Sequence, residues 1–349
     1  MANLPIYRAA VIGLGFVGAG DQVSGDAIGQ YVKDLDGTHA PSLNNHPRVQ
    51  LVAGSSRNEG RRQRFSEREG VATTYADWRD MLAKESLDIV SVATNTPHHA
   101  EIAIACAEAG VKCVFCEKPL TTKLADADRM IDVCAERNVL LVADHNRRWQ
   151  SHYGLAKQAI ADRAIGEVYH VMVHWPTGRF GCVGTHAFDA VRYLLGQNPV
   201  AVSGTLDKTG RPDCRGEQYS DPGGWGVVEF EGGVKMYVDG AENAKVPMVI
   251  RVVGAEGQLT MHRNDVLIEP WQGEPRTLER DMAAPDSVSL AVDEIVRCLD
   301  GTATPTSTGE DGRWAMEIIW GFHLSDHVNA EWVKLPIEGA GRDLEVRIG

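Results

Sequence analysis

The sequence predicts a two-domain α/β protein, in which an N-terminal Rossmann fold with a doubly wound parallel sheet precedes a C-terminal α/β domain with a large, mostly antiparallel open sheet. Three observations support this fold class. The first half alternates short, almost wholly apolar runs with helical periodicity, and strands of a parallel sheet covered on both faces have that composition. The second half alternates polar and apolar residues in runs that Gly and Pro interrupt, as antiparallel strands do. The length of 349 residues fits two domains of roughly 150 residues each.

Five apolar runs in the first half are predicted strands: Tyr7–Ile12, Val49–Gly54, Ile89–Thr94, Val111–Phe115 and Val139–Ala143. Predicted helices between them include Glu59–Glu69, Trp78–Lys84 and Thr96–Gly110. In the last of these helices, Thr96 can serve as the N-cap, Pro97 takes the first helical position and Gly110 ends the helix. The polar stretch 20–41 has weak periodicity, and we interpret it as an insertion that forms a surface excursion or lid.

The second half contains six predicted strands: Glu167–Trp175, Val200–Leu206, Gly226–Glu231, Val234–Val238, Val249–Val253 and Gln258–His262. The sequence Glu231-Gly232-Gly233 indicates a hairpin turn. Two helices follow, near Ser287–Leu299 and Arg313–Asn329. We therefore expect a dinucleotide-binding domain over residues 1–148 and a substrate and oligomerisation domain over residues 149–349.

The charge balance restricts the partners. Lys+Arg number 35 and Asp+Glu 48, for a net charge of −13, which argues against nucleic acid or an anionic membrane as the main partner. No apolar run approaches the roughly 18 residues of a membrane-spanning helix, and no secretory signal is apparent. The seven Cys are an odd number, which favours reduced thiols and a cytoplasmic protein.

A glycine motif follows the first predicted strand. Gly13-Leu14-Gly15-Phe16-Val17-Gly18 fits G-x-G-x-x-G between a strand and a helix, the context in which this motif indicates a dinucleotide site. Gly13 allows the tight turn, Gly15 lets the backbone approach the pyrophosphate, and Gly18 lets the helix pack on the strand. The alternative is an ordinary glycine-rich turn between a strand and a helix.

The end of the second strand bears on the choice of cofactor. NAD enzymes place an acidic residue there, whereas this chain has Ser55, Ser56 and Arg57. Hydroxyl groups and a guanidinium can bind a 2′-phosphate, so the sequence favours NADP over NAD. The alternative is that Arg57 is a solvated loop residue and the site accepts both cofactors.

Four motifs follow in order: Thr94-Asn95-Thr96-Pro97 with His98-His99, Glu117-Lys118-Pro119, Asn146-Arg147-Arg148-Trp149, and Gly184-Thr185-His186 with Asp189. This set resembles the Gfo/Idh/MocA family of sugar and polyol oxidoreductases over almost the whole chain. The resemblance implies hydride transfer between NAD(P) and a carbohydrate or polyol, and a homodimer or homotetramer formed through the C-terminal sheet. It also implies a Lys118–Pro119 peptide that is often cis.

The resemblance assigns site residues as well. Lys118 would lie at the nicotinamide and the substrate, and His186 would be the acid/base. The expected cofactor contacts, besides Gly13, Gly15 and Ser55–Arg57, are Phe16, Val17, Thr94, Asn95, Thr96, Pro97, His99, Glu117, Lys118, Pro119, Asn146 and Arg148. Trp149, Trp175 and Arg179 are candidate substrate contacts beside Lys118 and His186, because aromatic faces and bidentate donors suit a sugar. For the two Trp, core packing is the alternative.

These residue types suit alcohol oxidation, which removes a hydride and a proton. The nicotinamide takes the hydride, and a neutral imidazole can accept the proton. A lysine ammonium beside the hydroxyl stabilises the developing alkoxide charge.

One position departs from the family pattern. The family's dehydrogenases commonly have Asp four residues before the His, where this chain has Cys182. A neutral thiol neither accepts a strong hydrogen bond nor favours the charged imidazole. Asp189 could compensate, since it lies three residues after His186 on one helix face. Otherwise the substrate differs from a common inositol or glucose, net oxidation is not the reaction, or Cys182 is a small packing residue.

Two other functions remain open. The chain could hold its dinucleotide tightly and oxidise a sugar only transiently, during elimination, epimerisation or glycoside cleavage. It could also be a non-catalytic sensor of the dinucleotide, although retention of both Lys118 and His186 argues against this. We expect no metal site, because Cys113 and Cys116 lie along a predicted buried strand without a second pair of ligands.

Overall fold

The computed structural model describes residues 4–209, 213, 215–242 and 247–349. The chain divides into two compact units. The first comprises the residues up to Thr121, Asp126–Asn146 and Pro285–Glu310, and the second comprises Thr122–Ala125, Arg147–Ala284 and Asp311–Gly349. One boundary near residue 148 therefore does not describe the division, because Pro285–Glu310 returns to the first unit.

The first unit contains a parallel sheet, which has six strands in the described residues, in the order β3-β2-β1-β4-β5-β6. The strands are β1 (Tyr7–Ile12), β2 (Val49–Ser55), β3 (Thr74–Tyr75), β4 (Ile89–Val92), β5 (Cys113–Cys116) and β6 (Leu140–Ala143). Strands β4 and β5 are buried throughout, as their apolar composition predicts. The strand order reverses between β1 and β4, and doubly wound sheets bind ligands at such a point. The five predicted strands are confirmed, whereas β3 was not predicted.

Helices connect these strands: α1 (Phe16–Ala19), α2 (Gln22–Asp26), α3 (His39–Asn45), α4 (Glu59–Glu69), α5 (Trp78–Lys84), α6 (His99–Glu108) and α7 (Leu124–Glu136). Helices α4 and α5 have the predicted bounds, and α7 was not predicted. The predicted start at Thr96 is wrong in detail, because a 3₁₀ turn over Thr96–His98 precedes α6. Asn95 is the N-cap of that turn, and Gly110 follows α6 with φ 82°.

The insertion at residues 20–41 is not only a surface excursion. Its first part forms α2 and a 3₁₀ turn over Val32–Asp34. Its last part begins α3, where His39 and Ala40 are fully buried. The prediction is wrong at this end because a single buried His leaves no apolar periodicity in the sequence.

The second unit contains a mixed sheet with nine strands in the described ranges, in the order β14-β13-β12-β11-β7-β10-β9-β8-β15. Strands β7 and β10 pair in parallel, and the other pairs are antiparallel. The strands are β7 (Val168–His174), β8 (Pro199–Leu206), β9 (Gly224–Phe230), β10 (Lys235–Gly240), β11 (Val249–Gly254), β12 (Gly257–Met261), β13 (Asp265–Pro270), β14 (Arg276–Glu279) and β15 (Val333–Lys334). The six predicted strands are present, and the predicted turn between β9 and β10 has positive φ at Gly232 and Gly233.

Helices pack against this sheet within the second unit: α8 (Ser151–Ala161), α9 (Thr185–Leu195) and α11 (Gly309–His327), the last of which begins two residues before the unit does. Helix α10 (Ser287–Leu299) has the predicted bounds and lies in the first unit. A π-helical turn over Phe180–Gly184 runs directly into α9. In the described parts of the chain, no helix combines the length and apolar character that crossing a membrane requires.

Candidate active site

The glycine turn after β1 has the geometry that a dinucleotide needs. Gly13 has φ 103°, and a Cβ on it would lie 2.3 Å from the carbonyl oxygen of Ala93. A Cβ on Gly18 would lie 1.9 Å from the Gly13 oxygen, whereas one on Gly15 would meet only the Arg61 guanidinium, with its Nη1 at 3.8 Å. Space above Gly15 is what the close approach of a pyrophosphate requires, so the residues present fit the cofactor.

The tip of β2 lies beside this turn and carries no carboxylate. Ser55 is 2% exposed and accepts the Gly13 N–H through its own backbone oxygen at 2.9 Å. Its hydroxyl is thus inside the fold rather than available to a ribose, in contrast to our expectation. Ser56 is half-buried and Arg57 exposed, which leaves these two residues at the surface where the ribose end of a dinucleotide would bind.

The arginines on α4 differ in what they contact. Arg64 makes two hydrogen bonds of 2.7 and 2.8 Å to the buried Asp21. Arg62 donates to the backbone oxygen of Ser56 at 2.7 Å. Arg57 and Arg61 have no ion pair within the described residues. Within the described residues, the Arg57 and Arg61 side chains thus make neither an ion pair nor a hydrogen bond, and the Arg61 guanidinium lies over Gly15.

His99 forms hydrogen bonds to the loop after β4 and to the loop after β5. This side chain is 1% exposed, with Nδ1 3.0 Å from the Pro119 oxygen and Nε2 2.9 Å from the Thr94 oxygen. Burial lowers its pKa. His99 therefore joins two loops instead of facing a cofactor, which corrects the prediction, and Thr96 is buried as well. Asn95, Pro97 and His98 are the exposed residues of this loop.

Glu117, Lys118 and Pro119 follow β5 directly, with a cis peptide between Lys118 and Pro119 as the resemblance implies. Lys118 is half-buried. Glu117 has buried partners. Its Oε1 accepts a hydrogen bond from His39 Nε2 at 3.0 Å, and His39 Nε2 is also 3.3 Å from Asp144 Oδ2. This buried cluster of His39, Glu117 and Asp144 was not predicted, because its members lie far apart in the sequence.

The protonation of this cluster follows from its contacts. Burial alone lowers the pKa of His39, but the hydrogen bonds to Asp144 and Glu117 outweigh it and raise that pKa to about 9. Burial pushes the pKa of Glu117 upward, yet the hydrogen bond from His39 and the charge of Lys118 bring it to about 2. Burial raises the pKa of Asp144. At neutral pH an imidazolium therefore lies between the two carboxyl groups.

Asn146 is the last residue of the Asp126–Asn146 segment of the first unit, and its Oδ1 atom is buried without a hydrogen-bond partner among the described residues. Such an atom is normally satisfied by a ligand or water, and the expected contact of Asn146 with the cofactor stays a prediction. Phe16 is buried, and Val17 is half-buried on α1.

The cysteine pair in β5 lies in the interior of the first unit. Cys113 and Cys116 are fully buried, and both are free thiols whose pKa burial raises well above the ordinary value. Within the described residues, the one group with metal-ligand spacing is His39, Glu117 and Asp144, with ligand atoms within 4.8 Å of one another. Of the seven Cys, Cys214 lies outside the described residues.

In the second unit, Cys182 lies in the π-helical turn before α9. The backbone N–H groups of Gly181 and Cys182 donate to the Asp221 carboxylate at 2.7 and 2.8 Å. Arg215 Nη2 lies 3.3 Å from the Cys182 sulfur. Single π turns occur often at functional sites, and here Asp221 holds the turn in place. His186 is the second residue of α9 and is half-buried.

Asp189 does not compensate for the missing carboxylate. It is 1% exposed and accepts three hydrogen bonds of 2.8–3.1 Å from Arg148. Arg148 also lies 3.2 Å from Asp311. The two charges thus neutralise each other inside the second unit, so both the compensating role of Asp189 and the cofactor role of Arg148 are corrected.

The aromatic candidates are core residues. Trp175 is fully buried, donates from Nε1 to the Gly178 oxygen at 2.6 Å, and packs against Phe180 and Phe188. Trp149 is 8% exposed. For both Trp the packing alternative is therefore the better description. Arg179 pairs with Asp213 at 3.1 Å and lies 3.9 Å from Asp221.

A cavity of about 430 Å³ lies in the second unit. Asp221 lines it, together with Asp207, Glu242, His323 and Arg347. None of the predicted substrate residues is among its lining residues, and no signal in the sequence indicated it.

Two family models match the chain. The oxidoreductase family with an NAD-binding Rossmann fold matches residues 7–145, and the GFO/IDH/MocA C-terminal domain matches residues 176–260. Together the two matches span more than half of the chain. They lie in the order that the resemblance predicts.

Known proteins are similar over most of their length. Myo-inositol 2-dehydrogenase from Thermotoga maritima is 27% identical over 342 residues, covering 88% of this chain and 93% of that protein. D-xylose 1-dehydrogenase (NADP(+)) from Haloarcula marismortui is 27% identical and covers 71% and 74%. A structure of levoglucosan dehydrogenase in complex with NADH and levoglucosan superposes with a TM-score of 0.78 at 20% identity, over 95% of this chain and 100% of that chain, which supports the fold.

Proposed function

Because the chain belongs to the Gfo/Idh/MocA oxidoreductase family, we propose that it transfers hydride between the nicotinamide of NAD(P) and a secondary hydroxyl or ketone of a sugar, sugar derivative or polyol. The observation that carries this proposal is the glycine turn at Gly13–Gly18, with open space over Gly15, in a chain that keeps both Lys118 and His186. Relatives named as inositol and xylose dehydrogenases support the substrate class.

The cofactor would lie along the glycine turn and the loops that follow β4 and β5. Asn95, Pro97 and Asn146 would contact it besides Gly13 and Gly15. When bound, the nicotinamide supplies the hydride acceptor or donor. The protein's own part is to hold the reacting carbon and to move the proton.

Lys118 orients the substrate and stabilises charge. An ammonium near the reacting hydroxyl lowers the energy of the developing alkoxide, because it is fixed in place before the reaction begins. His186 accepts the hydroxyl proton during oxidation and returns it during reduction. An imidazole suits this step, since its ordinary pKa of about 6.5 lies near physiological pH.

NADP is the favoured cofactor. Near the ribose end, the Arg57 and Arg61 side chains have neither an ion pair nor a hydrogen bond in the described chain, and a 2′-phosphate carries the charge that they would bind. Ser56 adds a hydroxyl at the same edge. The absence of a carboxylate after β2 removes the usual contact to the 2′-hydroxyl of NAD.

We also propose that the sheet of the second unit pairs with a second copy of the chain. Met172, Trp225 and Tyr237 are 46%, 47% and 46% exposed on it. Tyr237 stands opposite Met172 on β7 and Val227 on β9, so these side chains form a continuous apolar strip. Sedimentation should give a dimer or tetramer, and Tyr237→Glu should produce monomers. A monomeric wild-type protein would contradict this assignment.

The proposed function is tested with a panel of sugars and polyols and with NADPH and NADH, read at the nicotinamide absorbance. Lys118→Ala should lower kcat on any active substrate at least 100-fold while dinucleotide binding persists, whereas Lys84→Ala on the surface should not change it. Wild-type protein without turnover on the whole panel would contradict the dehydrogenase assignment. Dinucleotide that copurifies with such a protein would favour transient oxidation in a sugar-modifying enzyme.

A further inference from the structure

Beneath the loop that carries Lys118, three ionisable side chains are buried together. His39 is fully buried, and Glu117 and Asp144 are 13% and 4% exposed. His39 Nε2 faces one oxygen of each carboxyl group, at 3.0 and 3.3 Å. Its Nδ1 lies 2.7 Å from the Ser91 hydroxyl. A side chain bonded on both ring nitrogens has a single orientation, so His39 is a rigid part of this cluster.

The cluster reaches Lys118 through the backbone. Glu117 Oε1 accepts from His39, and Glu117 Oε2 accepts from the Lys118 N–H at 3.2 Å. One carboxylate therefore joins the imidazole to the peptide from which the lysine side chain leaves. On the other side of the loop, His99 Nδ1 lies 3.0 Å from the Pro119 oxygen. Positions 117–119 are thus fixed from two sides.

Contacts between the segment before α3 and helix α10 fix the position of His39 in this cluster. Ser287 Oγ on α10 donates to the Asp36 oxygen at 2.9 Å. Gly37 has φ 95°, and a Cβ on it would lie 1.9 Å from Asp286 Oδ1. The chain just before His39 is therefore attached to the start of α10, within the same unit.

We propose that His39 is a positioning residue for the reaction: as an imidazolium held between Glu117 and Asp144, it fixes Glu117 and thereby the peptide that carries Lys118. This inference rests on the proposed role of Lys118. Asp144 keeps the imidazolium charged, and Glu117 transmits its position. The other titratable groups that face Glu117 are Lys118 and His99, and Ser91 supplies the remaining hydrogen bond of His39.

The cluster holds a proton rather than a metal ion. Its ligand atoms lie close enough for a divalent cation. However, a proton on Nε2 can be shared by Glu117 Oε1 and Asp144 Oδ2 at the observed distances of 3.0 and 3.3 Å. Addition of Zn²⁺ or Mg²⁺ to metal-free protein should therefore leave kcat and the melting temperature unchanged. Stoichiometric binding that His39→Asn abolishes would overturn this assignment.

The test compares two substitutions of His39. Glutamine can place an amide N–H near the position of Nε2 and keep the bond to Glu117, whereas asparagine reaches only the position of Nδ1. We expect His39→Asn to lower kcat about 10- to 100-fold, the cost of a misplaced reacting group, with little change in KM for the dinucleotide. His39→Gln should restore most of the lost activity. Asn45→Ala, at the exposed end of α3, is the matched control.

The pH profile separates positioning from general destabilisation. In His39→Asn, Glu117 loses its cationic partner and should titrate at higher pH, so kcat should fall on the acidic side where wild type does not. An equal loss at every pH, or a His39→Gln variant with activity as low as that of His39→Asn, would overturn the proposal.

Asp144→Asn is the second variant, to be used if His39→Asn does not fold. It removes the second carboxylate that faces His39 Nε2 and should lower kcat with little change in KM for the dinucleotide, and an unchanged kcat counts against the proposal.

The activities of Lys118→Ala and His39→Asn distinguish a wrong role for His39 from a wrong role for Lys118. If Lys118→Ala is inactive while His39→Asn keeps wild-type kcat and pH dependence, the lysine acts but His39 does not position it. If Lys118→Ala retains full activity, the proposed function itself is wrong.

Discussion

The Asp189 carboxylate holds the Arg148 guanidinium with hydrogen bonds of 2.8–3.1 Å, and both side chains are almost completely buried. The pair joins α9 to the segment that follows the first unit's last strand, within the second unit. It explains why an acidic residue on the same helix face as His186 is not available for catalysis.

Substitution of Asp189 should therefore affect stability before it affects chemistry. Asp189→Asn removes the carboxylate charge that faces the buried Arg148 guanidinium, and removal of one partner of a buried ion pair costs about 3–5 kcal/mol. We expect the lower part of this range, measured as a shift in the urea denaturation midpoint. Arg297→Gln, in an exposed pair on α10, should cost at most about 0.5 kcal/mol. Equal small effects in both variants would show that the buried pair contributes little.

Cys182 lies 3.3 Å from Arg215, which predicts the result of restoring a carboxylate there. Cys182→Asp should form a charge-assisted hydrogen bond to Arg215 and raise the melting temperature, whereas Cys182→Ser should not. Because Arg215 takes up the added charge, we expect kcat to change little. In Cys182→Asp with Arg215→Met, the unpaired carboxylate should alter the pH dependence of kcat. A large kcat change in Cys182→Asp alone would instead mean that residue 182 acts on the reacting groups directly.

Cofactor preference should depend on Arg57 and Arg61. Hydrogen bonds to a charged group contribute about 1.5–3 kcal/mol each, so we expect Arg57→Ala and Arg61→Ala each to lower kcat/KM for NADPH by about 10- to 100-fold, with NADH little affected. Arg64→Gln is the control, because Arg64 is already paired with Asp21. A wild-type enzyme that prefers NADH, or variants that lose both cofactors equally, would contradict the NADP assignment.

These outcomes show which parts of the site a sequence can reveal. The glycine turn was predictable because its geometry is local: Gly13 requires positive φ and Gly18 a close contact within six residues of chain. The buried strands were predictable from composition. In contrast, Asp189 and Arg148 are 41 positions apart, and His39 and Glu117 are 78 apart. Such pairs depend on tertiary packing, and no periodicity or motif in the sequence indicates them.

Trp175 illustrates the opposite problem. An aromatic residue near a predicted sugar site suggested substrate contact, yet Gly184 and Gly240 allow its ring to pack inside the second unit, where a Cβ on Gly240 would lie 2.4 Å from the ring. The absence of side chains at two distant glycines decides its location, and the sequence around Trp175 does not contain that information.

The stability of the protein should fall as pH rises from about 6.5 to 9, because of His39. Its pKa in the folded state is about 9 against about 6.5 when unfolded. The folded state therefore binds a proton that the unfolded state has released, so this contribution is complete below pH 6.5 and lost as the pH approaches 9. The slope is about 1.4 kcal/mol per pH unit, or about 3 kcal/mol over the window. Glu117, with a pKa of about 2, does not titrate there.

Urea denaturation at several pH values should show this decline in wild type. It should show a nearly flat dependence up to about pH 8 in His39→Gln, which keeps a neutral donor without the titrating ring. A decline of the same slope in His39→Gln would assign the effect to another group.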